Sequence, residues 1–355
     1  MNYIPFNQII DALEHLDETQ LQILQKLIEE LNQPKSIKSK IHTDKLSTLD
    51  EIRESRFRDG LCCPLCQANG PFKKNGTFRD RQRYLCKTCK RTFNDLTNTP
   101  VHYTKHSGHT WTEYLKGMVQ GLSIRKCAKL AGISVDTSFK WRHKILHALA
   151  EKKDQTLEGI VESDETYVLR SEKGKRGLDR KPRKRGGKAK KRGISNEQVC
   201  ILVARDRTKQ TISEAVTFGR MAAATLDAVI TYRLGSNVIL CTDEEQTFRK
   251  YCRDQGLRHE KVNPGKKRYV TKEIYHIQNV NAYHERFKSF LARYRGVASK
   301  YLNHYLAWHC MLDMNQSPEM IKVKSLFIQA INKPMKTNGK HISAYCEEQF
   351  QKLAV

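Results

Sequence analysis

Acidic residues are scarce in this chain of 355 residues, with 38 Asp and Glu against 64 Lys and Arg. The balance is a net charge of +26 and a pI near 9.6. Solubility does not require such an excess. A field of that sign attracts polyphosphate and makes binding steeply salt-dependent. Long apolar runs are missing too: none reaches the roughly 18 residues needed to span a bilayer. That disfavours a membrane as the partner of the positive charge. The opening MNYIPFNQIIDALEHLDE lacks a basic n-region and carries acids early, so it does not read as a signal peptide. No repeat with a period of about 20 to 50 residues is visible, which excludes a solenoid or propeller. The expectation is a soluble, cytoplasmic protein of two or three domains that works on nucleic acid.

Eleven cysteines, an odd number, are present. Four of them form two Cys-x-x-Cys pairs, Cys63–Cys66 and Cys86–Cys89, separated by nineteen residues. In a reducing compartment this pattern favours metal over disulfides. Two knuckles of paired thiolates complete a tetrahedral Cys₄ shell, so a structural Zn²⁺ in a zinc ribbon is expected over 58–98. All four positions are filled by sulfur, which argues against a catalytic zinc. Cys62 is a spare thiol beside the first knuckle. The intervening residues carry turn signals and basic side chains (Lys73, Lys74, Arg79, Arg81, Arg83), consistent with a hairpin that touches DNA.

Upstream, apolar positions at helical spacing between residues 5 and 33 suggest one or two helices, and a polar linker runs to about residue 50. Downstream, over 108–150, Ser123 has the position of an N-cap and Gly132 that of a helix-closing glycine. A second helix begins at Val135. This is the grammar of a helix-turn-helix. Its second helix would turn Ser138, Lys140, Arg142, His143 and Lys144 toward DNA.

Two carboxylates stand out in the region 158–312. Asp164 sits in the strand-like GIVESDETYV, and Asp243 ends a second apolar strand, NVILCTD. The helix-like NVNAYHERFKSFLARY adds Asn281 and Glu285, four residues apart on one face, with Lys288 on that face as well. Acids delivered by strand ends, joined by a polar helix residue, suit a site for two divalent cations working on phosphate. Glu162, Glu165, Glu244 and Glu245 are rival acids beside the two aspartates. His276 and His284 read as surface or packing residues.

Between the first two strands, residues 173–192 hold twelve Lys or Arg and one acid. No packed core can form there, and the segment (an insertion over 173–193) is expected to order only on a polyanion. Lys184, Arg185, Lys190, Lys191 and Arg192 are its DNA-facing candidates. Residues 313–355 read as a helical tail without a motif.

The stretches VESDETYV, VILCTDE and HIQNVNAYHERFKSFLARYRGVASKYLNHYLAW resemble bacterial insertion-sequence transposases of the DDE class, specifically the ISXO-two-like group. The resemblance covers roughly 60–312. It implies a multidomain α+β protein: N-terminal helices, a Cys₄ zinc ribbon, a helix-turn-helix, then an RNase H-like α/β catalytic domain. It further implies two Mg²⁺ (or Mn²⁺) ions held by Asp164 and Asp243. The third position is Asn281 in the family's Asp-Asp-Asn-Lys version, with Lys288 as its lysine, or Glu285 in an Asp-Asp-Glu version. Its expected partner is double-stranded DNA, both transposon ends and target, bound by a homodimer or larger assembly in the bacterial nucleoid. The competing readings are a DNA-binding regulator with an inactive catalytic domain and a nuclease that hydrolyses without joining.

Overall fold

The computed structural model describes Leu21, Gln25 and residues 55–78, 81–150, 155–178, 181, 187–332 and 339–353. The two isolated positions are helical; the rest of the expected segment 1–50 lies outside the described residues.

The cysteine module is an antiparallel sheet of β1 (Phe72–Phe78), β2 (Arg81–Cys86) and β3 (Thr92–Phe93). Its core is small, with Phe93 stacked on Tyr84 and edge-on to Phe72. So little apolar surface cannot hold a fold by itself, which leaves the four thiols to do so.

Three helices follow, α1 (Gly108–Val119), α2 (Ile124–Ala131) and α3 (Val135–Ala150). Ser107 and Ser123 cap the first two by accepting from the backbone N–H of Thr110 and Lys126. Gly132 closes α2 at φ +64, a conformation that glycine adopts without strain, and α3 starts at once. Trp111 lies flat on Trp141, ring centroids 3.5 Å apart, and pins α1 to α3.

The sheet of the region 158–312 has five strands in the order β6-β5-β4-β7-β8. They are β4 (Ile160–Leu169), β5 (Gln198–Asp206), β6 (Thr211–Phe218), β7 (Ile239–Asp243) and β8 (Arg258–Val262). β5 runs antiparallel to β4 and β6, whereas β7 and β8 run parallel to β4. This is an RNase H-like mixed sheet. Between the strands come α4 (Ala223–Ile230) and α5 (Gln246–Asp254), and after them α6 (Gln278–Ala292) and α7 (Leu302–Met314). Leu226, Ile230, Phe248 and Tyr251 of α4 and α5 cover one face, against Val161, Leu202 and Leu240. Tyr283, Phe287, Leu306 and Trp308 of α6 and α7 cover the other, against Val199, Ile201 and Val203. A strand buried on both faces explains the unbroken apolar run of β5.

The second core does not stop at the sheet. It continues through Tyr114, Trp141 and Ile145 of α1 and α3 into Leu326 and Ile331 of α8 (Glu319–Ile331). Leu353, just after α9 (Gly339–Lys352), closes it, so the helical module and the tail share one core with the sheet. No described helix is long and apolar enough to cross a membrane.

Candidate active site

Val161 belongs to the core under α4 and α5, so strand alternation turns Glu162 and Asp164 toward α6. The register of β4 with β7 pairs Ile160 with Ile239, Val161 with Leu240 and Glu162 with Cys241. Two residues further along, Asp164 is level with Asp243. Two acids far apart in sequence thus end on neighbouring parallel strands.

Their electrostatics are those of crowded, desolvated anions. Burial, and then the charge of Asp243, pushes the Asp164 carboxyl up to about 7. Asp243 is raised as well, by burial above all, although its carboxylate accepts the Glu245 N–H at 3.0 Å. Glu165, on the opposite face of β4, is pushed up to about 9 by burial and by a hydrogen bond with Glu245. Lys288 is the cation acting on Asp164.

Glu162 has a different task. It is 1% exposed, and Oε2 accepts the backbone N–H of Asn279 (2.8 Å) and of Val280 (3.1 Å). Oε1 accepts from Asn279 Nδ2 (2.7 Å) and Arg207 Nη1 (2.6 Å). The two backbone N–H groups are free donors of the first turn of α6, so a carboxylate two residues before Asp164 caps the helix that carries the other candidates. The clamp fixes both the approach and the rotation of α6 against β4.

That rotation decides which side chains reach Asp164. His284 is buried, with Nδ1 3.8 Å from Asp164 Oδ2, and burial holds its imidazole down to about 4. It is therefore neutral, and the expectation of a mere surface or packing histidine misses its place at the acid. Asn281 lies one turn earlier and is exposed. Glu285 is 77% exposed at its side chain and pairs with Lys288 at 3.5 Å. His276 stands by Glu162 Oε1 at 3.4 Å, away from Asp164.

Residues 156–308 match a family model described as an ISXO2-like transposase domain. The chain carries an ISXO2-like, DDE-type transposase domain. A relative from Halobacterium salinarum, an uncharacterized protein in transposable element ISH50, is 28% identical over 287 residues. The alignment covers 79% of this chain and 95% of the relative. Among solved structures, the Mos1 strand transfer complex overlays at TM-score 0.24 with 11% identity, over 71% of this chain and 79% of that one. A pre-cleavage Mos1 transpososome overlays at 0.18 with 11% identity, over 64% and 81%. Overlays this loose carry no structural inference.

Ahead of the transposase domain, the four cysteine sulfurs lie within 4.8 Å of one another. Among the described residues, they alone form a metal-sized group of three or more His, Cys, Asp or Glu donors. Cys63 and Cys89 are 3.8 Å apart at sulfur, and Cys66 and Cys86 are 3.7 Å apart. A Zn–S bond of about 2.3 Å gives a tetrahedral edge of about 3.8 Å, so the thiols fit the ion. Zinc there would staple the ribbon, and Cys62 stays outside the group.

The transposase domain also alters the DNA-facing assignments. Arg142 is fully buried and cannot touch DNA. Its Nη2 donates to Leu122 O at 2.8 Å, and its guanidinium lies over the Trp308 ring, 4.8 Å from the centroid. Ser138 and His143 are buried too. Lys144 is half-buried, while Lys140 is exposed and paired with Asp136 at 2.6 Å. Exposed cations in this module are instead Arg125, Lys126 and Lys129 of α2. Lys190, Lys191 and Arg192 of the insertion are exposed; Lys184 and Arg185 lie outside the described residues.

Proposed function

We propose that this chain binds the terminal inverted repeats of its element, cuts the DNA at those ends and joins the freed 3′-hydroxyl to target DNA. The observation that carries the reading is the pair Asp164 and Asp243, level on neighbouring parallel strands with both carboxyls raised by burial. Repelling carboxylates out of water are a poor arrangement alone and a good one around a divalent cation. Asp164 and Asp243 would hold Mg²⁺ or Mn²⁺, and α6 offers the amide oxygen of Asn281 or the carboxylate of Glu285 beside them. Two bound ions would supply the Lewis acidity for in-line transfer at a phosphodiester.

The chain's own residues supply the rest. Glu162 holds α6 to β4, so the positions on both elements keep a fixed spacing. Lys288 presents an ammonium to phosphate next to the acids. The insertion, with Lys184, Arg185, Lys190, Lys191 and Arg192, holds the duplex through counterion release and without sequence preference. Reading of the repeats falls to the ribbon and to a helix-turn-helix made by α2 and the start of α3, with Arg125, Lys126, Lys129 and Lys140 as its exposed cations. Two ends must be held together, so the working form is a dimer or larger.

Incubating the protein and Mg²⁺ with DNA that carries the element's own end and a supercoiled target tests the whole sequence. Joined products are expected. Cleaved ends that never join would reduce the reading to a nuclease, and tight binding without cutting would leave a DNA-binding regulator.

A further inference from the structure

We propose that the ring pair His102–Tyr103 and the groove beside it hold an unpaired stretch of DNA, with one base stacked on Tyr103. The inference rests on the DNA reading above and deepens it by naming a form of DNA and a place for it. The first observation is the ring pair, which lies between the zinc ribbon and α1. His102 and Tyr103 are stacked, ring centroids 3.8 Å apart and planes 19° from parallel. That contact covers one face of the Tyr103 ring, yet the residue is 88% exposed. Its backbone has φ +58, and among the described residues it is the one aromatic side chain on a positive φ. Bulky residues rarely adopt that conformation, and such positions gather where a side chain is needed for binding. The loop itself is tied down. Trp111 Nε1 donates to Thr104 Oγ1 at 3.0 Å, and the His102 N–H donates to Thr99 O at 3.0 Å. Neither core packing nor backbone preference accounts for an outward tyrosine here.

The second observation is the groove. It has a volume of about 830 Å³, within the range of roughly 300–1,000 Å³ that ligand pockets occupy. Phe93, Leu96 and Val101 give it apolar walls, and Arg81, Arg83 and Lys105 give it cations. Arg81 is paired with Asp95 at 2.7 Å, whereas Lys105 is exposed and Arg83 has a buried Nε without a hydrogen-bond partner. Burial, and then the charges of Arg56 and Lys144, lowers the His102 imidazole. The ring pair thus stands in a positive field as a neutral stack.

These features together select the ligand. A duplex offers phosphates and base edges, and its base faces are hidden in the stack. An unpaired strand offers phosphates and base faces. An open aromatic face beside cations is complementary to the second, and base–aromatic stacking is indifferent to which base it meets.

Fluorescence anisotropy on the full-length, zinc-loaded protein tests this, with labelled oligothymidylate of about ten nucleotides against a duplex of mixed sequence. Tyr103→Ala should lose roughly tenfold or more in affinity for the single strand, and Tyr103→Phe should stay within about twofold of wild type. Both variants should keep their duplex affinity within about twofold. A second measurement needs no variant: irradiating the complex with a strand carrying 5-iodouracil should crosslink it to Tyr103 or His102. Single-strand affinity untouched by Tyr103→Ala, or lost equally on single strand and duplex, would overturn the proposal and leave the transposase reading standing. Crosslinks confined to other parts of the chain would overturn it too. Wild-type protein that binds neither form of DNA would remove the DNA reading, and the proposal with it.

Discussion

Asp164 and Glu162 sit two residues apart on one strand and do opposite things with the same functional group. Glu162 is satisfied by four donors and acts as a structural anion. Asp164 is desolvated beside a like charge, and its carboxyl is raised to about 7. In metal-free protein, Asp164 binds a proton when folded, at pH values where the unfolded chain has lost it. Stability from this group therefore falls as pH rises from the ordinary carboxylate range to about 7. Replacing Asp164 by Asn should raise the melting temperature of the metal-free protein more at pH 8 than at pH 5. An equal shift at both would show that the carboxyl is not raised. For Glu162→Ala, loss of a buried paired anion should cost about 3–5 kcal/mol. The amides of Asn279 and Val280 should then exchange faster than their neighbours in α6. Unchanged exchange at those two amides would remove the clamp from the account.

Arg142 shows what a helix pattern can and cannot say. Lysine, arginine and histidine along α3 look like a DNA-reading face, and the turn at Gly132 and the Ser123 cap form as the residue types require. Which face of α3 is buried depends on α7, α8 and α9, much later in the chain, and no local periodicity encodes that. Arg142→Met should lower the melting temperature by several degrees, as loss of a buried, hydrogen-bonded charge does. DNA affinity of the folded protein should stay within about twofold. A large loss of affinity at an unchanged melting temperature would restore Arg142 to the DNA face. The same limit applies to α6. Asn281, His284 and Glu285 all fall on one broad face by spacing, so the sequence leaves the third position open. Rotation of the helix separates them, and Glu162 sets it from a strand 117 residues away. The strand ends, in contrast, were legible. An apolar run finishing in an acid marks a buried strand delivering its last residue, and Asp243 follows that rule, whereas Asp164 lies in the middle of β4. The cysteine spacing was legible for a similar reason, since a metal shell is a local geometric demand.

At the scale of the whole molecule, the proposed function has the positive charge and the sheet work on the same polyanion. The insertion enters between β4 and β5, directly after the strand that carries Asp164, so its cations emerge from the same region of the fold. Replacing Lys190, Lys191 and Arg192 by Gln removes three exposed cations. The slope of log affinity against log salt should then shrink by about 2–3. An unchanged slope would mean that these side chains do not contact phosphate. The most direct test of the central claim is cleavage of labelled DNA bearing the element's own end, in Mg²⁺, by wild type, Asp164→Ala and Asp243→Ala. The account predicts metal-dependent 3′-end cutting that falls by about a thousandfold or more in each variant while both still bind the DNA. Cutting that survives either substitution in a folded, DNA-bound protein would contradict it.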